Sequence, residues 1–341
     1  MKPQMTIIIK RLQPLLKMQR LPVVAMAFAL IFFWAVPPVA AQDCALKEFA
    51  SLNITTLPGG EIAVPLTIGG QSHMFVVQLT NNTSAISAAL ADALHLKPTH
   101  STIPHTVFFG QVFTPTSPTP DFVSVPVSEG SAAINDFHLF VVNTTPGSGA
   151  DGYLGVDFLR HFEVEIDFAN GKLNLFSPNH CPGAVVYWPN TGAGYTLFGY
   201  TDTGNLIFPA TVDGVRILTR LSTEPGNARM ALEVAAKEFD ISLRSDGLKA
   251  GGADDDGSMF YHYPFKSLQI GDVSIANPTI DLKISMNACD GKHLFSKKAV
   301  DMSMCSKDMG LIVGQNELRK LHLFFSFREG KLYVTTADSH K

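Results

Sequence analysis

Hydrolytic or transfer chemistry needs a proton-moving group, a nucleophile or a metal, and few residues of this chain offer one in a suggestive pattern. Asp202-Thr203-Gly204 puts a carboxylate on a glycine-bearing turn, where it could activate water if a second acidic group shared the work. No second Asp-Thr-Gly occurs, and the tripeptide follows Phe198-Gly199-Tyr200-Thr201 rather than an apolar strand, so ordinary turn chemistry is the expected reading. Asp254-Asp255-Asp256 lies between glycines and reads as a solvated loop rather than a Ca²⁺ site. His95, His100 and His105 are five apart, a spacing that no single helix or strand face gathers. Asp157 and Asp167 are expected to orient backbone or face solvent. No metal or cofactor is expected. The cysteines Cys44, Cys181, Cys289 and Cys305 form no CxxC pair, which argues against zinc.

Residues 1–41 carry five of the 26 basic residues and no acid. Leu21–Val36 is an apolar run, and Val39-Ala40-Ala41 supplies small residues before Gln42, the order of a secretory signal peptide. The run is shorter than the roughly 20 residues of a spanning helix, and Pro37-Pro38 ends it, so cleavage is expected rather than an anchor. Met5 or Met18 is an alternative start. The compartment expected is the periplasm or the extracellular space. The 21 remaining bases face 30 acids, a balance that argues against nucleic acid as a partner. An even cysteine count in an exported chain favours disulfides. Of three connectivities, Cys44–Cys181 with Cys289–Cys305 is expected, with free buried thiols as the alternative.

These residues must be positioned by elements, and the elements recur. Glu61–Gly70 (EIAVPLTIGG) matches Asn205–Gly214 (NLIFPATVDG) at an offset of 144. Asp151–Phe176 resembles Met309–Val334, where an offset of 159 pairs Gly155 with Gly314, Leu159 with Leu318 and Arg160 with Arg319. Two matches in the same order indicate an internal duplication. Short runs rich in Val, Ile and Phe, punctuated by Gly, Pro, Asn and Asp, predict strands throughout. Helices are expected only at Ala85–Leu94, Phe158–Phe162, Ala231–Phe239 and Glu317–Leu321. The expected organisation is a signal peptide (1–41) and two all-β lobes (42–192 and 193–341), joined through Pro178–Ala193.

A duplicated β-lobe of this kind resembles the pepsin/retropepsin superfamily of aspartic peptidases, and in particular bacterial exported proteins with two retropepsin-like lobes. DGYLGVDFLRHFEVEIDF carries the resemblance best; IVGQNELRKLHLFF matches more loosely, and VPLTIGGQSHMFVVQLTNNTSAIS follows the pattern around the first catalytic loop. The resemblance implies a fold of two β-barrel lobes and a cleft where one Asp from each lobe holds the attacking water. Here the loops align as Gln78-Leu79-Thr80-Asn81 and Ser222-Thr223-Glu224-Pro225, so neither aspartate position is a carboxylate and both loop glycines are replaced. Only Thr223 keeps the identity that the resemblance implies. An amide and an unassisted hydroxyl cannot replace a carboxylate pair as general base.

The reading that follows is a catalytically inactive, monomeric protein whose interlobe cleft, at Gln78–Asn81 and Ser222–Glu224, accepts an extended polypeptide. An active hydrolase with a relocated site at Asp202 or Glu224 is one alternative. A structural envelope protein with a filled cleft is the other.

Overall fold

The computed structural model describes residues 45–100, 107–108, 111–112, 121–143, 149–188, 193–201, 204–253, 259–283 and 309–337. Each half starts from the same local device. Ile62–Ile68 turns into Gln71–Val77 through Gly69 and Gly70 (φ 61° and 78°), and Leu206–Val212 turns into Val215–Leu221 through Asp213 and Gly214 (φ 45° and 85°). Two consecutive positive-φ residues make the type I′ turn whose twist suits a two-residue hairpin.

The second strand of each hairpin then runs parallel to a strand that returns much later in the chain. Gln71–Val77 lies beside Gly152–Leu154, with Val77 opposite Leu154. Val215–Leu221 lies beside Met309–Val313, with Leu221 opposite Val313. Each returning strand is flanked on its other side by an antiparallel one, Ala85–Ser87 in the first half and Ala228–Ala231 in the second. The loops 78–84 and 222–227 therefore wrap around the ends of equivalent strands. In the first half, Phe122–Glu129 also pairs back onto Ile62–Ile68, closing that sheet on itself. The result is two β-rich lobes with little helix.

A six-stranded sheet joins the lobes, in the order Glu48–Asn53, Lys172–Phe176, Glu163–Asp167, Leu321–Ser326, Lys331–Thr336, Gly194–Leu197. Three strands come from each half, and the second set mirrors the first. At the centre, Val164 faces Phe325 and Ile166 faces Leu323 on the side of the main core. Strand alternation puts Glu163, Glu165 and Asp167 on the opposite side, with His322, Phe324 and Ser326.

That second side is covered, so the polar residues are buried rather than solvated. The connecting segment after Pro178 packs over it, with Val185 and Trp188 clustering with Phe176, Phe324 and Tyr333. Trp188 stacks on the His322 imidazole at 4.0 Å between centroids, and its indole N–H donates to Thr335 Oγ1 at 2.9 Å. Glu165 pairs with His322 Nε2 at 2.8 Å and accepts from Asn174 Nδ2 and the Tyr187 hydroxyl. Burial, and then Glu165, push the Tyr187 phenol well above its ordinary pKa. Glu163 accepts the Arg328 N–H at 2.9 Å and lies 3.3 Å from His180 Nε2. A buried carboxylate is tolerated only when hydrogen-bonded in this way.

The helices fall near the expected places but start differently. Ala85–Ser87 is strand, and the first helix spans Ala88–Ala93, with Ser87 Oγ capping the Leu90 N–H at 3.2 Å. The expected helices at Phe158–Phe162 and Glu317–Leu321 instead span Val156–Leu159 and Gln315–Leu318, because extended Gly155 and Gly314 start them at once. The helix expected from Ala231 spans Leu232–Phe239. Among the described residues no helix is long and apolar enough to cross a membrane. Cys181 is disulfide-bonded; Cys44, Cys289 and Cys305 lie outside the described residues.

Trp188→Ala should lose about 3 kcal/mol of stability, the low end for a buried Trp truncation, because its segment can partly collapse into the space. Urea unfolding would check this; a loss under about 1 kcal/mol would show that the connecting segment is not a structural cover.

Candidate functional site

The two loops hold equivalent positions against the returning strands. Gln78 N–H donates to Leu154 O at 2.9 Å, and Ser222 N–H donates to Val313 O at 2.8 Å. These pairs preserve the sequence offsets of 144 and 159. Gly155 and Gly314 sit where the loops cross. A Cβ on Gly155 would lie 2.7 Å from Thr83 O, and one on Gly314 would strike Asn227 O. Close backbone approach, not an unusual φ, demands glycine at both places.

Each loop is pinned by a carboxylate from the short helix behind it. Asp157 accepts from Ser84 N–H (2.8 Å) and Ser84 Oγ (2.6 Å), while Ser84 Oγ accepts the Gly155 N–H. In the second half Glu317 accepts the Ala228 N–H at 2.7 Å. Burial pushes both carboxyls above their ordinary range, against the pull of those hydrogen bonds. Asp167 is likewise structural, accepting from Asn170 N–H and Nδ2 in a turn.

The loops are tied to one another asymmetrically. Thr223 Oγ1 donates across the lobe boundary to Val77 O at 2.5 Å. Its counterpart in the first loop is buried Leu79, which has no hydroxyl to return the bond. Gln315 Nε2 adds a second tie, donating to Gly60 O and Thr223 O, both at 3.0 Å, and Arg319 Nε holds Gln315 Oε1 at 3.0 Å.

Between the lobes lies a cavity of about 250 Å³ lined by Glu61, Val76, Val77, Gln78, Tyr153, Thr223, Glu224 and Pro225. Gln78, Thr223 and Glu224, three of the seven loop residues expected at the cleft, line it. Leu79, Thr80, Asn81 and Ser222 do not: Leu79 and Ser222 are buried, and Ser222 Oγ accepts the Glu224 N–H at 3.2 Å. Gln78 Oε1 accepts from Asn81 Nδ2. Glu61 and Tyr153 were not anticipated. Both lie within the repeated segments, but nothing in their spacing separates them from ordinary strand residues. Arg229 holds Glu224 Oε2 at 2.5 Å. Burial, then Glu61, then Glu224 raise the pKa of Tyr153.

A crystal structure of an aspartic proteinase from Irpex lacteus, 13% identical, matches 87% of this chain and 99% of its own, with a TM-score of 0.53. The fold is pepsin-like. Basic 7S globulin from soybean is a further similar structure, 9% identical over 86% of this chain and 96% of its own, with a TM-score of 0.48. No protein-family model matches the sequence, and neither does any curated protein.

Among the described residues, none of the other sequence candidates lines the cavity. Asp202 lies outside the described residues. On either side of it, Gly204 N–H donates to Thr201 O (2.8 Å) and Thr201 N–H donates to Asn205 O (2.9 Å). Residues 254–256 and His105 also lie outside the described residues; His95 is exposed, and His100 pairs with Asp121 at 3.1 Å. His262 pairs with Asp281 at 2.6 Å, and Asn227 Nδ2 also bonds Asp281.

Two predictions follow from this network. Asp157, Glu163 and Glu317 all have raised native pKa values, so the folded state binds their protons more tightly than the unfolded state does. Their contribution should be full at or below about pH 4 and be lost as pH rises from there through the raised values. Asp157→Asn should flatten that slope; an unfolding midpoint with an unchanged pH profile would contradict the assignment. Thr223→Val, which strands the Val77 carbonyl, should cost about 1–3 kcal/mol by denaturant unfolding.

Proposed function

We propose that this chain is an exported, catalytically inactive protein of pepsin-like fold, formed by internal duplication, which binds an extended polypeptide in the cleft between its lobes. The observation that carries the reading is the pair of equivalent loop positions. Gln78 and Ser222 stand where the resemblance puts the two aspartates, the first an amide engaged by Asn81 and the second a buried hydroxyl. The mechanism that the resemblance implies activates water with a carboxylate pair sharing one proton, and an amide with a hydroxyl cannot supply it. Binding needs only a groove with backbone partners and side-chain pockets. The lobes proposed are residues 42–192 and 193–341, after removal of a signal peptide ending at Ala41, with the periplasm or extracellular space as the destination. Cys44–Cys181 and Cys289–Cys305 are the proposed bridges, in keeping with the disulfide at Cys181.

A second reading draws on the cavity wall, where Glu61 and Glu224 come from opposite lobes and could form a relocated acidic pair. One assay separates the two. Incubation with unstructured protein substrates between acid and neutral pH should give no pepstatin-sensitive cleavage, while the same substrates bind. Cleavage abolished by Glu224→Gln or Asp202→Asn would replace the inactive reading with the relocated-site one. Failure to bind any extended chain would remove the polypeptide reading.

A further inference from the structure

We propose that Arg220 and Arg229, on the outer face of the second lobe's sheet, form a seat for one carboxylate of the polypeptide taken up in the cleft. This rests on the polypeptide-binding reading above. Arg220 lies on Val215–Leu221 and Arg229 on Ala228–Ala231, and both pair with Ile312 of the strand between them. The three side chains stand on one face, part-exposed, while Leu221, Met230 and Leu311 turn into the core. Two strand spacings separate the arginines, about 10 Å, a gap that two side chains of this length can close around one small anion.

The acids along this row are already engaged. Arg229 Nη2 donates to Glu224 Oε2 at 2.5 Å. Asp281, opposite Arg229 on the next strand, accepts from Asn227 Nδ2 at 3.1 Å and lies 2.6 Å from His262 Nδ1. Arg220 has no such neighbour. Its Nε is buried without a hydrogen-bond partner, and among the described residues no acceptor meets Nη1 or Nη2, which stay open. Burial and then the charge of Arg229 pull the Arg220 pKa down, with Glu224 acting the other way. A guanidinium cannot escape this cost by losing its proton, because it stays charged in a protein. It needs an acceptor from outside, and a carboxylate matches its planar fork in both charge and shape. A cationic guest would add to the repulsion, and a neutral one would leave it. Glu224, which acts on both arginines, also lines the interlobe cavity, so the seat lies at the edge of the cleft.

The test is calorimetric titration of the full chain with three extended, N-acetylated heptapeptides. One carries Glu at its centre and an amidated end, the second Gln and an amidated end, and the third Gln and a free terminal carboxylate. N-acetyl-glutamate amide and N-acetyl-glutamine amide are titrated in parallel. An acidic heptapeptide should bind roughly ten-fold tighter than the neutral one at low salt, with the preference shrinking as salt rises. Whether the central Glu or the free terminus gives that preference tells a side-chain carboxylate from a chain end. Arg220→Met should abolish the preference yet leave the urea midpoint unchanged or raised, because it removes an unpaired charge and keeps the apolar stem. Glu224→Gln, which frees Arg229, should enlarge the preference several-fold. Equal binding of all three heptapeptides, a preference that survives Arg220→Met, or a lowered midpoint in that variant overturns the inference. If the heptapeptides bind equally, the polypeptide reading stands without the seat; if glutamate amide is preferred to glutamine amide but no heptapeptide binds, the polypeptide reading fails while the seat remains.

Discussion

Everything in this molecule depends on the antiparallel pairing of Glu163–Asp167 with Leu321–Ser326. Their paired residues are at least 155 apart in sequence, the separation of Asp167 and His322, yet these strands are the centre of the sheet that holds both lobes. The loops 78–84 and 222–227 meet only because that pairing fixes the lobes, and the bond from Thr223 to Val77 then sets their register. Dispersion and burial on the core side supply the driving force. On the other side the buried acids need polar neighbours: Glu165 accepts from Tyr187 of the connecting segment, Glu163 lies 3.3 Å from its His180, and Asp167 accepts from Asn170 in its own turn.

The near-symmetry of the fold makes its departures from symmetry informative. Backbone bonds from Gln78 and Ser222 are equivalent, and so are the glycines that let each loop lie against a helix start. The side chains are not. One lobe reaches across with a hydroxyl while the other answers with Leu79, and one loop is anchored by Asp157 while the other uses Glu317, one position further along by the offset of 159. The backbone arrangement is the same in the two halves, while the side chains at the two loops differ.

Much of this was legible in the sequence. Hairpins marked by Gly69-Gly70 and Asp213-Gly214, the two offsets, and Gly155 and Gly314 are local signals, because turn geometry and close approach restrict residue type directly. The helix starts lie one to three residues from the expected ones, since a strand can run straight into a helix and an Ala-rich segment does not say where. Asp167 is expected from the sequence to orient backbone or face solvent, and nothing local says that residues 178–188 cover the side of the strand that also carries Glu163 and Glu165. Glu61 and Tyr153 were missed at the cavity for the same reason: a wall is made by elements distant in sequence, and a single glutamate before a strand carries no mark of it.

The mirrored order of the six-stranded sheet has a consequence for either half taken by itself. A first half without the second would end in Glu163–Asp167 as a bare edge, with its backbone donors and acceptors unpaired and its apolar face of Val164 and Ile166 uncovered. The edge it lacks is a strand very like its own. Such a fragment would close its sheet most readily with a second copy of itself, as a two-fold homodimer. In the intact chain the tether keeps that partner within the same molecule, at an effective concentration no free copy could match.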